Sequence, residues 1–341
     1  MQNIIATQTA APTGFLTPAK TASTSIGHSR LRQYAWFVLA WNIAVILWGA
    51  VVRATGSGAG CGNHWPLCNG EVIPTSPRIA TLIEFTHRAM TGGATLTIAV
   101  LLIWVFRATK SRHLARYTAV ASTVLLLNEA FLGALLVKLG YVVNNQSTGR
   151  FIVLPIHLAN TLLLLAALAL TAHFLSRESG FMDGSVEYRF LPICFLGLAT
   201  TIAVGVTGSL AALGDTLFPH ATFAEDFAQS SPWILRLRWM HPVASLLATA
   251  FILAIIWISG AQKSTANRKL ANAIIALIAF QLALGGLDVL LDAPTWMQIV
   301  HLLGADIFWA ALVVLTARIA VVPLGCPGNI CAFSARRDKM A

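Results

Sequence analysis

Residues 84–105 read EFTHRAMTGGATLTIAVLLIWV: Glu84, His87 and Arg88 stand at the head of a run that carries no further charge. On a helix these three fall at i, i+3 and i+4 and share one face. The run behind them matches the roughly 20 apolar residues that cross a bilayer core. A polar cluster at the edge of such a span is costly unless it has partners, and it marks a functional site by default. Working outward, apolar runs bounded by charges predict eight spans, at about 34–52, 82–105, 117–137, 152–174, 190–210, 239–259, 271–290 and 297–317. The third and seventh contain an interior acid, Glu129 or Asp288, and are retained because the connections on one side are short and basic.

Composition agrees. Of 341 residues, 57% are hydrophobic and 11% charged, against about 45–50% and about 25% in soluble domains. The net charge of +10 points to topology, not to a nucleic-acid partner. Sixteen of the 23 Lys and Arg fall in the tails and even-numbered connections, among them Arg107, Lys110, Arg112 and Arg116. Only Arg53, Arg78, Lys138, Arg150, Arg236 and Arg238 fall on the other side. By the positive-inside rule both termini are cytoplasmic and the odd-numbered connections face outward. The expected organisation is a disordered cytoplasmic tail (1–33), a four-helix half (34–174), a second four-helix half (190–318) and a cytoplasmic tail (319–341). The first 33 residues lack the compact apolar core of a secretory signal. Their scarcity of basic residues favours a bacterial plasma (inner) membrane protein over one of the mitochondrial inner membrane.

The halves repeat one another. Ala54-Thr-Gly-Ser57 returns as Val206-Thr-Gly-Ser209, Leu132-Gly-Ala-Leu135 as Leu284-Gly-Gly-Leu287, and Ile156-His157-Leu as Val300-His301-Leu. Four spans separate equivalent helices, so the fold expected is all-α, two pseudo-symmetric four-helix bundles of the same membrane orientation. His87, His157, His241 and His301 then occupy the outward end of every even-numbered span. One such histidine is most simply an interfacial side chain, but four at repeat-related positions read as ligands. Neutral imidazole binds transition metals and haem iron, and two imidazoles from two helices can clamp a porphyrin. Small residues follow each histidine and would let a flat ligand approach: Gly92 and Gly93, Ala159, Ala244 and Ser245, Gly304 and Ala305. His28, His64, His113, His173 and His220 are expected in solvated positions.

The halves also differ. Three residues before His87 stands Glu84, and three before His241 stands Arg238. Only the first half has a cysteine loop, Cys61 to Cys68, on the side where an oxidising compartment permits a bridge. Such a bridge can be structural or redox-active. Glu84 can serve as general acid or base, or stabilise developing positive charge; alternatively it is the ion-pair partner of Arg88 or Arg53. Arg53, Arg88, Arg236 and Arg238 can pair with haem propionates. Cys194 is expected in the core, and Cys326 and Cys331 as reduced residues of the tail.

Taken together, Arg-Ala-Thr-Gly-Ser-Gly at 53–58, Cys61 to Cys68 around Trp65-Pro66, Glu84-Phe-Thr-His87-Arg88, His157, His241 and His301 resemble the haem A synthase family over about residues 34–318. The resemblance implies oxidation of the methyl group of haem o, through an alcohol, to the formyl group of haem a. It implies haem b in the second half on His241 and His301, and haem o as substrate in the first half on His87 and His157. It makes Glu84 the essential carboxylate and links Cys61 and Cys68 to electron transfer. Haem o synthase and cytochrome oxidase assembly factors become the implied partners, with a homo-oligomer compatible. One departure stands out: residues 211–237 lack the second cysteine pair that some members carry. A dihaem electron-transfer cytochrome and a haem transporter are the rival readings, and under either one Glu84 and the cysteine loop would be superfluous.

Overall fold

The computed structural model describes residues 20–176, 184–186, 188–219 and 221–323. Eight helices carry the chain: α1 (Lys20–Ala54), α2 (Ile79–Ala108), α3 (Leu114–Lys138), α4 (Thr148–Leu175), α5 (Leu191–Leu217), α6 (Met240–Ile258), α7 (Arg268–Leu290) and α8 (Thr295–Ala320). All eight are long and apolar enough to cross a membrane, so the chain is an all-helical, multi-pass membrane protein. Two three-residue strands, β1 (Gly184–Val186) and β2 (Val321–Pro323), pair antiparallel where α4 and α8 end.

The helices coincide with the expected spans except at two ends. Residues 20–33, expected as tail, continue α1 as helix, and Leu31 is fully buried, which gives the extension a packing reason. α5 runs on to Leu217 and takes Asp215 into the helix. The acid is tolerated there because its carboxylate lies 2.9 Å from Arg238. The remainder of the expected tails, residues 1–19 and 324–341 with Cys326 and Cys331, lies outside the described residues, as does His220. His173, expected in solvent, is buried instead, because it sits on α4, one of the two helices most enclosed by the others.

Neighbour relations explain that enclosure. α1, α2, α3 and α4 touch in ring order and close through α1 and α4; α5 to α8 do the same through α5 and α8. α4 and α8 then pack on each other between the two rings. The core between them is aliphatic, with Leu165, Leu168, Leu312 and Leu315 fully buried. The Trp309 indole N–H donates to the Leu162 carbonyl at 2.7 Å across the same seam. Outer faces remain apolar and exposed, as at Leu96, Leu127, Phe131, Leu246 and Trp257, which suits contact with lipid.

Candidate functional site

The partner of the Glu84 cluster is the loop joining α1 to α2. α1 stops at Ala54, Gly56 turns the chain at φ 63°, and a short 3-10 turn at Ser57–Ala59 follows. At Gly60 the loop lies directly on the start of α2: a Cβ there would collide with the backbone of Ala80 and Thr81. The Thr81 hydroxyl donates to the Gly60 carbonyl at 2.8 Å. Cys61 and Cys68 form a disulfide and are both buried. Glu84, 3% exposed, receives the Cys61 N–H on Oε2 at 2.8 Å and pairs through Oε1 with Arg88 at 2.5 Å. Arg88 in turn donates to the carbonyls of His64 and Leu67, each at 2.6 Å. Of the alternatives open for Glu84, the ion pair is with Arg88 and not Arg53, and it is shared with the disulfide loop.

The four histidines follow a rule that joins odd helices to even ones. Each imidazole lies against a glycine of the preceding helix: His87 against Gly49 on α1, His157 against Gly133 on α3, His241 against Gly208 on α5 and His301 against Gly285 on α7. A Cβ would stand 3.1, 3.9, 2.9 and 3.4 Å, respectively, from the ring Cε1. The glycines therefore make seats for the rings. Of the small residues expected to flank the ligands, Gly92 is open, whereas Gly93 accommodates Trp41 and Gly304 accommodates Gln281.

The ring geometry fits metal ligation. Two imidazoles facing each other across one ion, with metal–nitrogen distances of about 2.0–2.1 Å and each ring centre a further ~1.1 Å behind its nitrogen, place the centres about 6.3 Å apart. The centres of His241 and His301 are 6.2 Å apart, with the ring planes at 89°. A ligating histidine needs its other nitrogen held. Nδ1 of His241 lies 3.1 Å from the Val204 carbonyl, and the Gln281 amide lies 3.0 Å from Nδ1 of His301. In the first half Nδ1 of His157 stands 3.2 Å from Glu129 Oε1, but neither it nor the buried Nδ1 of His87 has a hydrogen-bond partner among the described residues. The donor chemistry and the seats suit a haem in each half.

The arginines are committed to protein acceptors. Arg53 reaches the Ala212 carbonyl and Thr216 hydroxyl of α5, both at 2.5 Å, and Gln298 of α8 at 2.8 Å. Arg238 pairs with Asp226 at 2.6 Å and Asp215 at 2.9 Å, and Arg236 donates to the Gln229 carbonyl. Arg53 thus fastens one half to the other, and Arg238 fastens the loop between α5 and α6. Asp226, in that loop, is pushed above the usual carboxylate range by burial, while Arg238 pulls it back.

Residues 32–313 match the model of the cytochrome oxidase assembly protein family, COX15-CtaA. The chain belongs to this family. A protein of Thermus thermophilus named protoheme IX farnesyltransferase is 43% identical over 297 residues, which is 84% of this chain and 48% of that protein. Proteins named heme A synthase are 32% identical in Alkalihalophilus pseudofirmus, over 67% of this chain and 77% of the relative, and 28% identical in Halalkalibacterium halodurans, over 84% and 95%. The chain spans about half the length of the Thermus relative it matches.

Sequence reasoning missed the seats and the Nδ1 partners. Gly133, Gly208 and Gly285 lay inside the repeated motifs, but which ring each glycine faces is a relation between helices. Glu129 was read only as a blemish on the third span, although an ionisable residue inside a span is itself the signal.

Proposed function

We propose that this member of the COX15-CtaA family is a haem A synthase, a membrane oxidoreductase that converts the methyl group of haem o through a hydroxymethyl to the formyl group of haem a for terminal oxidase assembly. The observation that carries the reading is a pair of seated histidines in each bundle, with Glu84 one helical turn before the first-half histidine where the second half has Arg238. Relatives named heme A synthase, matched over most of their length, support it.

In this reading His241 and His301 would hold a resident haem b, which supplies one-electron transfer when bound. His87 and His157 would hold haem o. Glu84, one helical turn before His87, is placed to accept a proton released as the methyl carbon is oxidised, and Arg88 fixes the carboxylate in position. The disulfide loop covers Glu84 and fixes its Oε2 through the Cys61 N–H. Of the arginines at this end, Arg53 bonds neutral acceptors and suits a haem propionate, whereas Arg88 and Arg238 are already paired with Glu84, Asp215 and Asp226. The chain lies in a bacterial inner membrane with both termini cytoplasmic, following the basic residues. Farnesyl addition to protohaem, the reaction that the name of the Thermus relative describes, makes the substrate consumed here.

The test is expression of the full chain in a host that makes haem o but no haem a, followed by extraction of the haems and mass analysis. Haem a or its alcohol precursor is expected. Absence of both from haem-loaded protein overturns the proposal.

A further inference from the structure

The two halves differ at a second place, on the far side of the ligand pairs. Glu129 on α3 and Gln281 on α7 are 152 residues apart, the same offset as the repeated Leu132 and Leu284. Asn160 and Thr161 likewise correspond to Gly304 and Ala305 at the offset of His157 and His301. The structure joins these positions. Oε1 of Glu129 stands 3.2 Å from His157 Nδ1, within electrostatic reach though off the line of an ideal ring N–H bond. Thr161 bonds Oε1 and Asn160 bonds Oε2, each at 2.5 Å, and Asn128 braces Asn160 at 2.8 Å. In the second half the Gln281 amide takes the corresponding place, 3.0 Å from His301 Nδ1. There it fills the space that Gly304 leaves and reaches the backbone of Ala305. Three positions have changed together: a carboxylate with two side chains to hold it in one repeat, an amide with room made for it in the other.

We propose that Glu129 is a positioning residue that makes His157 a more electron-rich iron ligand than His301, so that the first-half haem has the lower reduction potential of the two. The inference rests on the reading that each histidine pair holds a haem. A ligating imidazole whose Nδ1 faces a carboxylate donates more strongly through Nε2 than one whose Nδ1 faces a neutral amide. Stronger donation favours ferric over ferrous iron. The pair that takes substrate is thereby set apart from the pair that holds the resident haem by a single exchange of functional group. Asn160 and Thr161 keep the carboxylate turned to His157 and not to Arg or Lys, none of which approaches it among the described residues.

The experiment is a spectroelectrochemical titration of full-length protein isolated with both haem sites filled, comparing wild type with Glu129→Gln, Gln281→Glu and the double exchange. Glu129→Gln is expected to raise one potential by about 59 mV or more, a tenfold change in the one-electron equilibrium, and to leave the other in place. Gln281→Glu is expected to lower the other, and the double exchange to reverse their order. His157→Ala is the control for the underlying reading: it must abolish the low-spin signal of one haem. If that signal persists, the haem assignment fails. If it is lost, yet Glu129→Gln leaves both potentials unmoved, the haem assignment stands and the role of Glu129 is overturned. Should Glu129→Gln fail to accumulate, Gln281→Glu alone decides, because an unmoved potential there refutes the same principle.

Discussion

An imidazole that binds metal must be clear of its neighbours on one side and held by its second nitrogen on the other. Four glycines on the odd-numbered helices provide the clearance, and they do so unequally. A methyl group at Gly208 would stand 2.9 Å from His241 Cε1, closer than real Cβ contacts come, whereas one at Gly133 would stand 3.9 Å from His157, an ordinary contact. Gly208→Ala therefore has to push the ring off the Val204 carbonyl that orients it. The expected result is loss of most of the haem bound by that pair, while Gly133→Ala retains its full complement. Gly49→Ala, at 3.1 Å, and Gly285→Ala, at 3.4 Å, fall between. Haem per protein from reduced-minus-oxidised spectra checks this order, and equal retention in Gly208→Ala and Gly133→Ala would sink it.

At the scale of elements, the start of α2 and the disulfide loop behave as one unit, because Glu84 ties them with both of its oxygens. Replacing Glu84 by Gln removes the charge that holds Arg88 and weakens the bond from the Cys61 N–H. A hydrogen bond to a charged group contributes about 1.5–3 kcal/mol, and about 1.4 kcal/mol is tenfold in an equilibrium. The buried disulfide should therefore react roughly tenfold faster with a small hydrophilic reductant, followed by thiol labelling, in Glu84→Gln than in wild type. An unchanged rate would remove Glu84 as the loop's anchor. The helices were legible in the sequence because uninterrupted apolar runs leave little else to form. The end of α5 was not, because Asp215 reads as a stop until Arg238 is seen beside it. The four histidine positions were legible through the repeat, since each sits in the first turns of an even-numbered helix. The residues that seat and orient them were not, since Gly208, Glu129 and Gln281 act on a ring that belongs to another helix.

For the whole molecule the question is what keeps two four-helix rings in one arrangement when lipid offers their surfaces the same apolar surroundings as each other. Packing of α4 on α5 and α8, and of α1 on α8, joins the rings, but aliphatic seams between helices set register weakly, and polar bonds at interhelical seams add specificity. Among the described residues such bonds cross at two places, from Trp309 to the Leu162 carbonyl and through the fork of Arg53. Arg53 leaves α1 and reaches two acceptors on α5 and one on α8, a spread that the planar guanidinium spans and a single ammonium does not. Arg53→Lys should therefore lose at least one of these bonds and leave an acceptor unmet, at a cost of about 1–3 kcal/mol. The expected readout is a lower midpoint for thermal unfolding in detergent, followed by far-UV circular dichroism. Arg78→Lys, at an arginine on the same end that precedes α2, should leave the midpoint unchanged. If Arg53→Lys unfolds at the wild-type temperature, the two rings are held without the fork of Arg53, which is then incidental to their arrangement.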